Sequence, residues 1–146
     1  MGEMIKLKNG STIKLHDDNK KVFGLDRANT NTMVYVTEGP IDSMFLENAV
    51  ATADSNLESI TDCVDKSKVV LVFDNEPRNK EIVKKMEHAI DNHFNIVIWP
   101  EYIKEKDVNE MILEDHFSPD EIQDIVNKNT FINLRAKMEF VNWKKI

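Results

Sequence analysis

The stretch from Val34 to Phe45, VYVTEGPIDSMF, passes from an apolar, β-branched run into Glu38-Gly39, and then into Pro40 and Asp42 where a helix should begin. Proline suits a first helical turn, because the N–H it lacks has no intrahelical partner there. The stretch therefore reads as strand, tight turn, helix. Gly39 permits a turn or a close backbone approach that a side chain would block. Asp42, in the first helical turn, is accounted for by the helix dipole. Glu38 has no comparable structural explanation.

Working outward, short apolar runs recur at 33–37 (MVYVT), 69–73 (VVLVF) and 95–99 (NIVIW), with a shorter one at 49–53 (AVATA). Apolar almost throughout, they fit strands buried on both faces of a parallel sheet. Helical patterns lie between them. PIDSMFLEN follows the first run, and RNKEIVKKMEHAIDNH places Ile82, Val83, Met86, Ala89 and Ile90 on one face. SPDEIQDIV is a capping box, with Ser118 as cap, Pro119 in the first turn and Glu121 three residues on. A last helix is expected from about Asn133 to 142–144, docked by Phe140 and Trp143. Alternating strands and helices predict an α/β domain with right-handed crossovers. Ahead of it, IKLKNGSTIKL around Asn9-Gly10 reads as a β-hairpin.

At 146 residues, the chain has the length of one ordinary domain. Its net charge of −7 repels nucleic-acid phosphates as a whole, so any nucleic-acid role must be local, metal-mediated or shared with another chain. The imbalance is uneven: residues 4–22 carry five Lys against two Asp, and residues 127–146 five Lys or Arg against one Glu. The middle is correspondingly acidic. Cys63 is the only cysteine, which excludes an internal disulfide and a multi-Cys zinc site and fits a reducing, cytoplasmic setting. No apolar run is long enough to span a bilayer, and MGEMIKLKNG lacks a signal-peptide core. Met-Gly followed by a second Met at position 4 points to a piece of a longer protein.

In an open parallel sheet, ligands bind beyond the carboxyl ends of the strands. Three loops qualify. The first holds Glu38, with Asp42 four residues on. In the second, VVLVFDNEPRN, Asp74 ends the most apolar strand and Glu76 follows after one residue. Two such carboxylates repel unless a cation, a proton or an Arg lies between them, and oxygen-only ligands suit Mg²⁺. The third, KEKDVNEMI, sets Lys106 and Asp107 where a phosphate contact and a helix cap would be useful, and Asp107 with Glu110 also makes a capping pair. No phosphate-cradling glycine loop occurs, and His16, His88, His93 and His116 lack the helical i, i+4 spacing of a zinc pair.

EGPID (38–42) after one strand and DNE (74–76) after a later one resemble the two motifs of the toprim domain, shared by bacterial-type primases, topoisomerases and some nucleases. VFGLDRA (22–28) is similar to the segment that precedes toprim in replicative primases, and KDVNEMI (106–112) to their K-D-x-x-E element. The combination is most similar to the primases of tailed, lytic phages, where Glu replaces the second Asp of the toprim motif. The resemblance covers roughly Lys21 to the C-terminus. It implies a toprim-like parallel-stranded sheet flanked by helices at 21–115, after a hairpin at 1–20 left from a preceding lobe and before a helical segment at 116–146.

The resemblance further implies the catalytic part of a DNA primase that makes RNA primers. Glu38 would assist metal binding or proton transfer, Asp74 and Glu76 would hold Mg²⁺ or Mn²⁺, and Asp42 would be an auxiliary acidic residue. Lys106 and Asp107 would face the nucleotide, and Asp54 is a weaker candidate at another strand end. Partners would be single-stranded DNA template, nucleoside triphosphates and the RNA primer, with a replicative helicase as a further partner and no membrane, in the cytoplasm of a bacterial or phage-infected cell. The zinc-binding domain and basic template-gripping lobe of the usual primase have no counterpart in this sequence, so the isolated chain is expected to make little or no primer. Two other functions fit parts of the pattern. A toprim-type nuclease would use the same carboxylates. A phosphoacceptor receiver domain, a binding module without catalysis, also ends a strand in Asp, but it wants an acidic pair after its first strand where YVTEGP offers one.

Overall fold

The computed structural model describes residues 3–6, 12–15, 22–52 and 56–146. Strands β1 (Glu3–Lys6) and β2 (Thr12–Leu15) pair antiparallel, Glu3 opposite Leu15 and Lys6 opposite Thr12, as the hairpin pattern predicts. The Asn9-Gly10 turn, like Asp54, lies outside the described residues.

The main sheet has six strands: β3 (Val22–Phe23), β4 (Val34–Thr37), β5 (Ala49–Thr52), β6 (Val69–Leu71), β7 (Asn95–Val97) and β8 (Thr130–Phe131). Their spatial order is β3-β5-β4-β6-β7-β8. The four inner strands are parallel and the two edge strands antiparallel to their neighbours. Helices α1 (Pro40–Ser43), α2 (Lys80–Asp91), α3 (Val108–Glu114), α4 (Pro119–Lys128) and α5 (Asn133–Trp143) connect and cover them. This is the α/β, toprim-like arrangement expected. Among the described residues, no helix is long and apolar enough to cross a membrane.

Alternation along the strands builds two cores. Val34, Val36, Val69, Leu71 and Ile96 face α2, α5 and the 3₁₀ turn at Leu57–Asp62. Val70, Val72, Val97 and Trp99 face the layer of α3 and α4. Burial on both faces is why these runs are apolar throughout. The face of α2 is the one expected, with Ile82, Val83, Met86, Ala89 and Ile90 all buried.

β6 and β7 end earlier than their apolar runs. Phe73 lies beyond β6 because its carbonyl accepts the indole N–H of Trp99 at 2.9 Å instead of joining the ladder. Ile98 lies beyond β7, its N–H bonded to the Asn129 carbonyl at 3.0 Å. α1 is much shorter than PIDSMFLEN. The Ser43 hydroxyl bonds back to the Pro40 carbonyl at 2.6 Å, and the next N–H groups form i to i−3 bonds, Met44 to Ile41, Phe45 to Asp42 and Leu46 to Ser43. The chain thus tightens out of the α form. β3, β8 and α3 are elements that the apolar pattern alone does not mark. The Ser118–Glu121 capping box of α4 is present in full.

Asn48 turns the chain from α1 into β5 with φ of 49°, the left-handed region that Asn tolerates better than most residues. Its side chain also fastens the loop before β4. Oδ1 accepts from the Asn29 N–H at 2.7 Å, and Nδ2 donates to the carbonyls of Asn29 and Met33 at 3.0 and 2.7 Å. Asn48→Ala is expected to lower stability by about 2 kcal/mol, read as the urea midpoint. Asn48→Gly, which keeps the backbone angle but loses the bonds, is expected to cost less.

Candidate metal centre

Chain order β4, β5, β6, β7 against spatial order β5-β4-β6-β7 places the reversal of strand order between β4 and β6, which run parallel. A crevice opens at such a switch point, beyond the carboxyl ends of the strands. At this end of the sheet the loop after β4 carries Glu38, the first turn of α1 Asp42, and the loop after β6 Asp74 and Glu76.

Asp42, Asp74 and Asp107 meet there, with one carboxylate oxygen from each lying within 4.8 Å of the others. Backbone N–H groups at the start of α3 orient two of them. Asp107 caps α3, accepting the Glu110 N–H at 2.8 Å, and Asp42 accepts the Asn109 N–H at 2.9 Å. Each keeps a second oxygen for a cation. Gly39 makes room for this: a Cβ there would come within 3.2 Å of Asp42 Oδ2. Its φ of −95° is open to any residue, so close approach is what glycine provides at this position.

Burial pushes the Asp74 carboxyl up to about 7, and the negative charges of Asp42, Asp107, Glu76 and Glu38 push the same way. Asp42 rises to about 6, again chiefly through burial, against the lowering effect of the Asn109 hydrogen bond, with Asp107, Glu110 and Glu38 raising it further. A site that resists ionisation when empty favours an ion that neutralises it. Half-buried carboxylates with only oxygen donors fit a hard divalent cation such as Mg²⁺ or Mn²⁺.

The sequence-derived residues separate by position. Asp42 and Asp74 belong to the tight group. Glu38, exposed, and Glu76, half-buried, lie outside it but contribute to the field on Asp74. Asp107 is both the cap expected and a third member of the acidic group. Lys106 is exposed; its N–H donates to Glu110 Oε1 at 3.3 Å and its carbonyl accepts the Asn75 N–H.

Asn75, the middle residue of D-N-E, is the one that sequence reasoning missed. It is 8% exposed. Its Nδ2 donates to the carbonyls of Ile103 and Glu105 at 3.1 and 3.0 Å, and its Oδ1 accepts the Trp143 indole N–H at 2.8 Å. Asn75 thereby ties the loop of Asp74 to the loop of Asp107 and to the end of α5. The Lys145 N–H, bonded to the Pro77 carbonyl at 2.9 Å, adds a second tie from the C-terminal segment. The only sequence signal was an amide between two carboxylates. Its partners lie 28, 30 and 68 residues away, beyond the reach of any local pattern.

The fold and site define an α/β chain with a carboxylate cluster suited to a divalent cation. No protein-family model matches the sequence. The chain is similar to the DNA primase of Enterobacteria phage T4, with 35% identity over 136 residues. The match covers 92% of this chain and 39% of that primase, so the chain spans well under half the length of its relative. Sequence similarity thus relates nearly the whole of this chain to part of a primase.

Because both carboxyls are raised from 3.8, the folded chain binds protons that the unfolded chain has released between about pH 4 and pH 7. Without metal, stability therefore falls as pH rises through that window. Mn²⁺ is expected to raise the melting temperature by several degrees at pH 8 and by much less at pH 5. Asp74→Asn should abolish that gain and melt slightly higher than the wild type in EDTA at pH 8. Asn75→Ala leaves the Trp143 N–H and two carbonyls without partners, for an expected loss of about 2–3 kcal/mol in urea unfolding. Mn²⁺ affinity should weaken with it.

Proposed function

We propose that this chain is the toprim catalytic part of a DNA primase, a nucleotidyltransferase that joins ribonucleotides on a single-stranded DNA template. The observation that carries the proposal is the convergence of Asp42, Asp74 and Asp107 at the β4/β6 switch point, in a chain similar to a primase over nearly its whole length. These three residues would hold Mg²⁺ or Mn²⁺. A bound divalent cation supplies charge that stabilises an attacking hydroxyl and a leaving pyrophosphate.

The protein's own part is positional. Asn109 and Glu110 N–H groups fix the orientation of two carboxylates, and Asn75 fixes the separation of the loops. In this reading Glu38, exposed, assists metal binding or takes a proton from the attacking group, and Glu76, half-buried, holds metal through water. Lys106, an exposed cation beside Asp107, is assigned to the incoming phosphates. In this reading, residues 21–115 form the toprim unit, and the remainder of a complete primase grips the template and meets the helicase.

Mn²⁺ binding followed by electron paramagnetic resonance tests the centre. The wild type is expected to bind Mn²⁺, and Asp74→Asn combined with Glu76→Gln to lose the site. Alone on single-stranded template with nucleoside triphosphates, the chain is expected to make little or no primer. Robust primer synthesis would overturn its assignment as an incomplete part, and Mg²⁺-dependent cleavage of the strand would replace the primase reading with a nuclease.

A further inference from the structure

The loop that carries Asp74 and Glu76 also walls a cavity of about 520 Å³. Asn75 and Pro77 form one side, the segment from Ile98 to Lys104 another, and Trp143 and Lys145 a third. The volume is in the range of sites that hold a small molecule or a nucleotide unit.

Three cations line it: Arg78, Lys104 and Lys145, all exposed. Among the described residues, neither Arg78 nor Lys145 makes an ion pair. Lys104 commits one ammonium hydrogen to the Glu101 carbonyl at 3.0 Å and has two left. Of the two carboxylates in the wall, Glu139 is already paired with Arg135 at 3.0 Å, leaving Glu101 as the unpaired acid. In a chain of net charge −7, this is a local reversal of sign, joined to the acidic centre through Asn75, the chain neighbour of Asp74.

The indole N–H groups of Trp99 and Trp143 are taken by the Phe73 carbonyl and Asn75 Oδ1. The cavity thus offers no further indole donor, and charge attraction for an anionic ligand falls to the three cations. Arg78 can engage a phosphate with two parallel N–H groups, and the lysines act as point charges.

We propose that this cavity is a backbone subsite for single-stranded nucleic acid, in which Arg78, Lys104 and Lys145 take the phosphates of a strand that continues from the metal centre. The strand's identity rests on the function proposed above; the cation cluster does not. Such a patch meets the requirement that a chain repelling phosphates overall must attract them locally.

The test is fluorescence anisotropy of a labelled single-stranded oligodeoxynucleotide, in EDTA at about 0.1 M salt. Each phosphate contact adds about 0.7 to the salt slope for single strands, so each of Arg78→Ala, Lys104→Ala and Lys145→Ala is expected to weaken binding about fivefold. The triple variant should flatten the slope of log K against log salt by about 2, while Lys84→Ala, at an exposed position of α2, should leave binding unchanged. Mn²⁺ titrations of the same variants should match the wild type. Wild-type affinity in the triple variant, or no oligonucleotide binding by the wild type, overturns the subsite. So does cation-dependent binding of nucleoside triphosphate without cation-dependent binding of the strand. Strand binding that depends on the three cations, in a chain that binds no Mn²⁺, would support the subsite and sink the metal-dependent function.

Discussion

Three carboxylates held within 4.8 Å of one another oppose their own assembly, and the parts of the fold around them are arranged to contain that repulsion. Like charges in a half-buried crevice repel more strongly than they would in water. Left alone, the loops carrying Asp42, Asp74 and Asp107 would separate. The restraint comes from hydrogen bonds donated by neutral backbone and amide groups. The first turn of α3 donates to two of the carboxylates, and Asn75 binds the two opposed loops through their backbones.

That restraint extends into both layers of the molecule. Trp99, from the strand run after α2, fixes the chain just before Asp74 by bonding to the Phe73 carbonyl. Trp143, from the last turn of α5, fixes the chain just after it by bonding to Asn75. Both indoles are buried in hydrophobic clusters on opposite faces of the sheet. The acidic loop is therefore gripped from two cores at once, which preorganises it more firmly than either alone could.

The architecture was legible in the sequence because its causes are local. Apolar β-branched runs gave the inner strands, the 3.6-residue period gave α2, and S-P-D-E gave the cap of α4. Asp42 and Asp74 were legible because ligands gather at strand ends, a rule that needs only strand positions. The edges were less visible. β3 and β8 have two residues each, too short to display a period. α1 ended early because Ser43 turned back on its own backbone, a competition that propensity does not record. Asp107 was placed near phosphate and cap, but its approach to Asp42 depends on how β7 and α3 lie against β4, information that no window of sequence contains. Asn75 was invisible for the same reason, since its meaning resides wholly in distant partners.

The tie between Trp143 and Asn75 also sets an order of events during synthesis. All the carboxylates of the centre are translated well before Trp143, and the first contributing strand is more than a hundred residues ahead of it. A nascent chain emerging from the N-terminus carries the complete acidic set long before it carries the brace. The brace between Trp143 and Asn75 can thus form only after α5 has been made, and a product terminated before Trp143 would possess the three carboxylates without it.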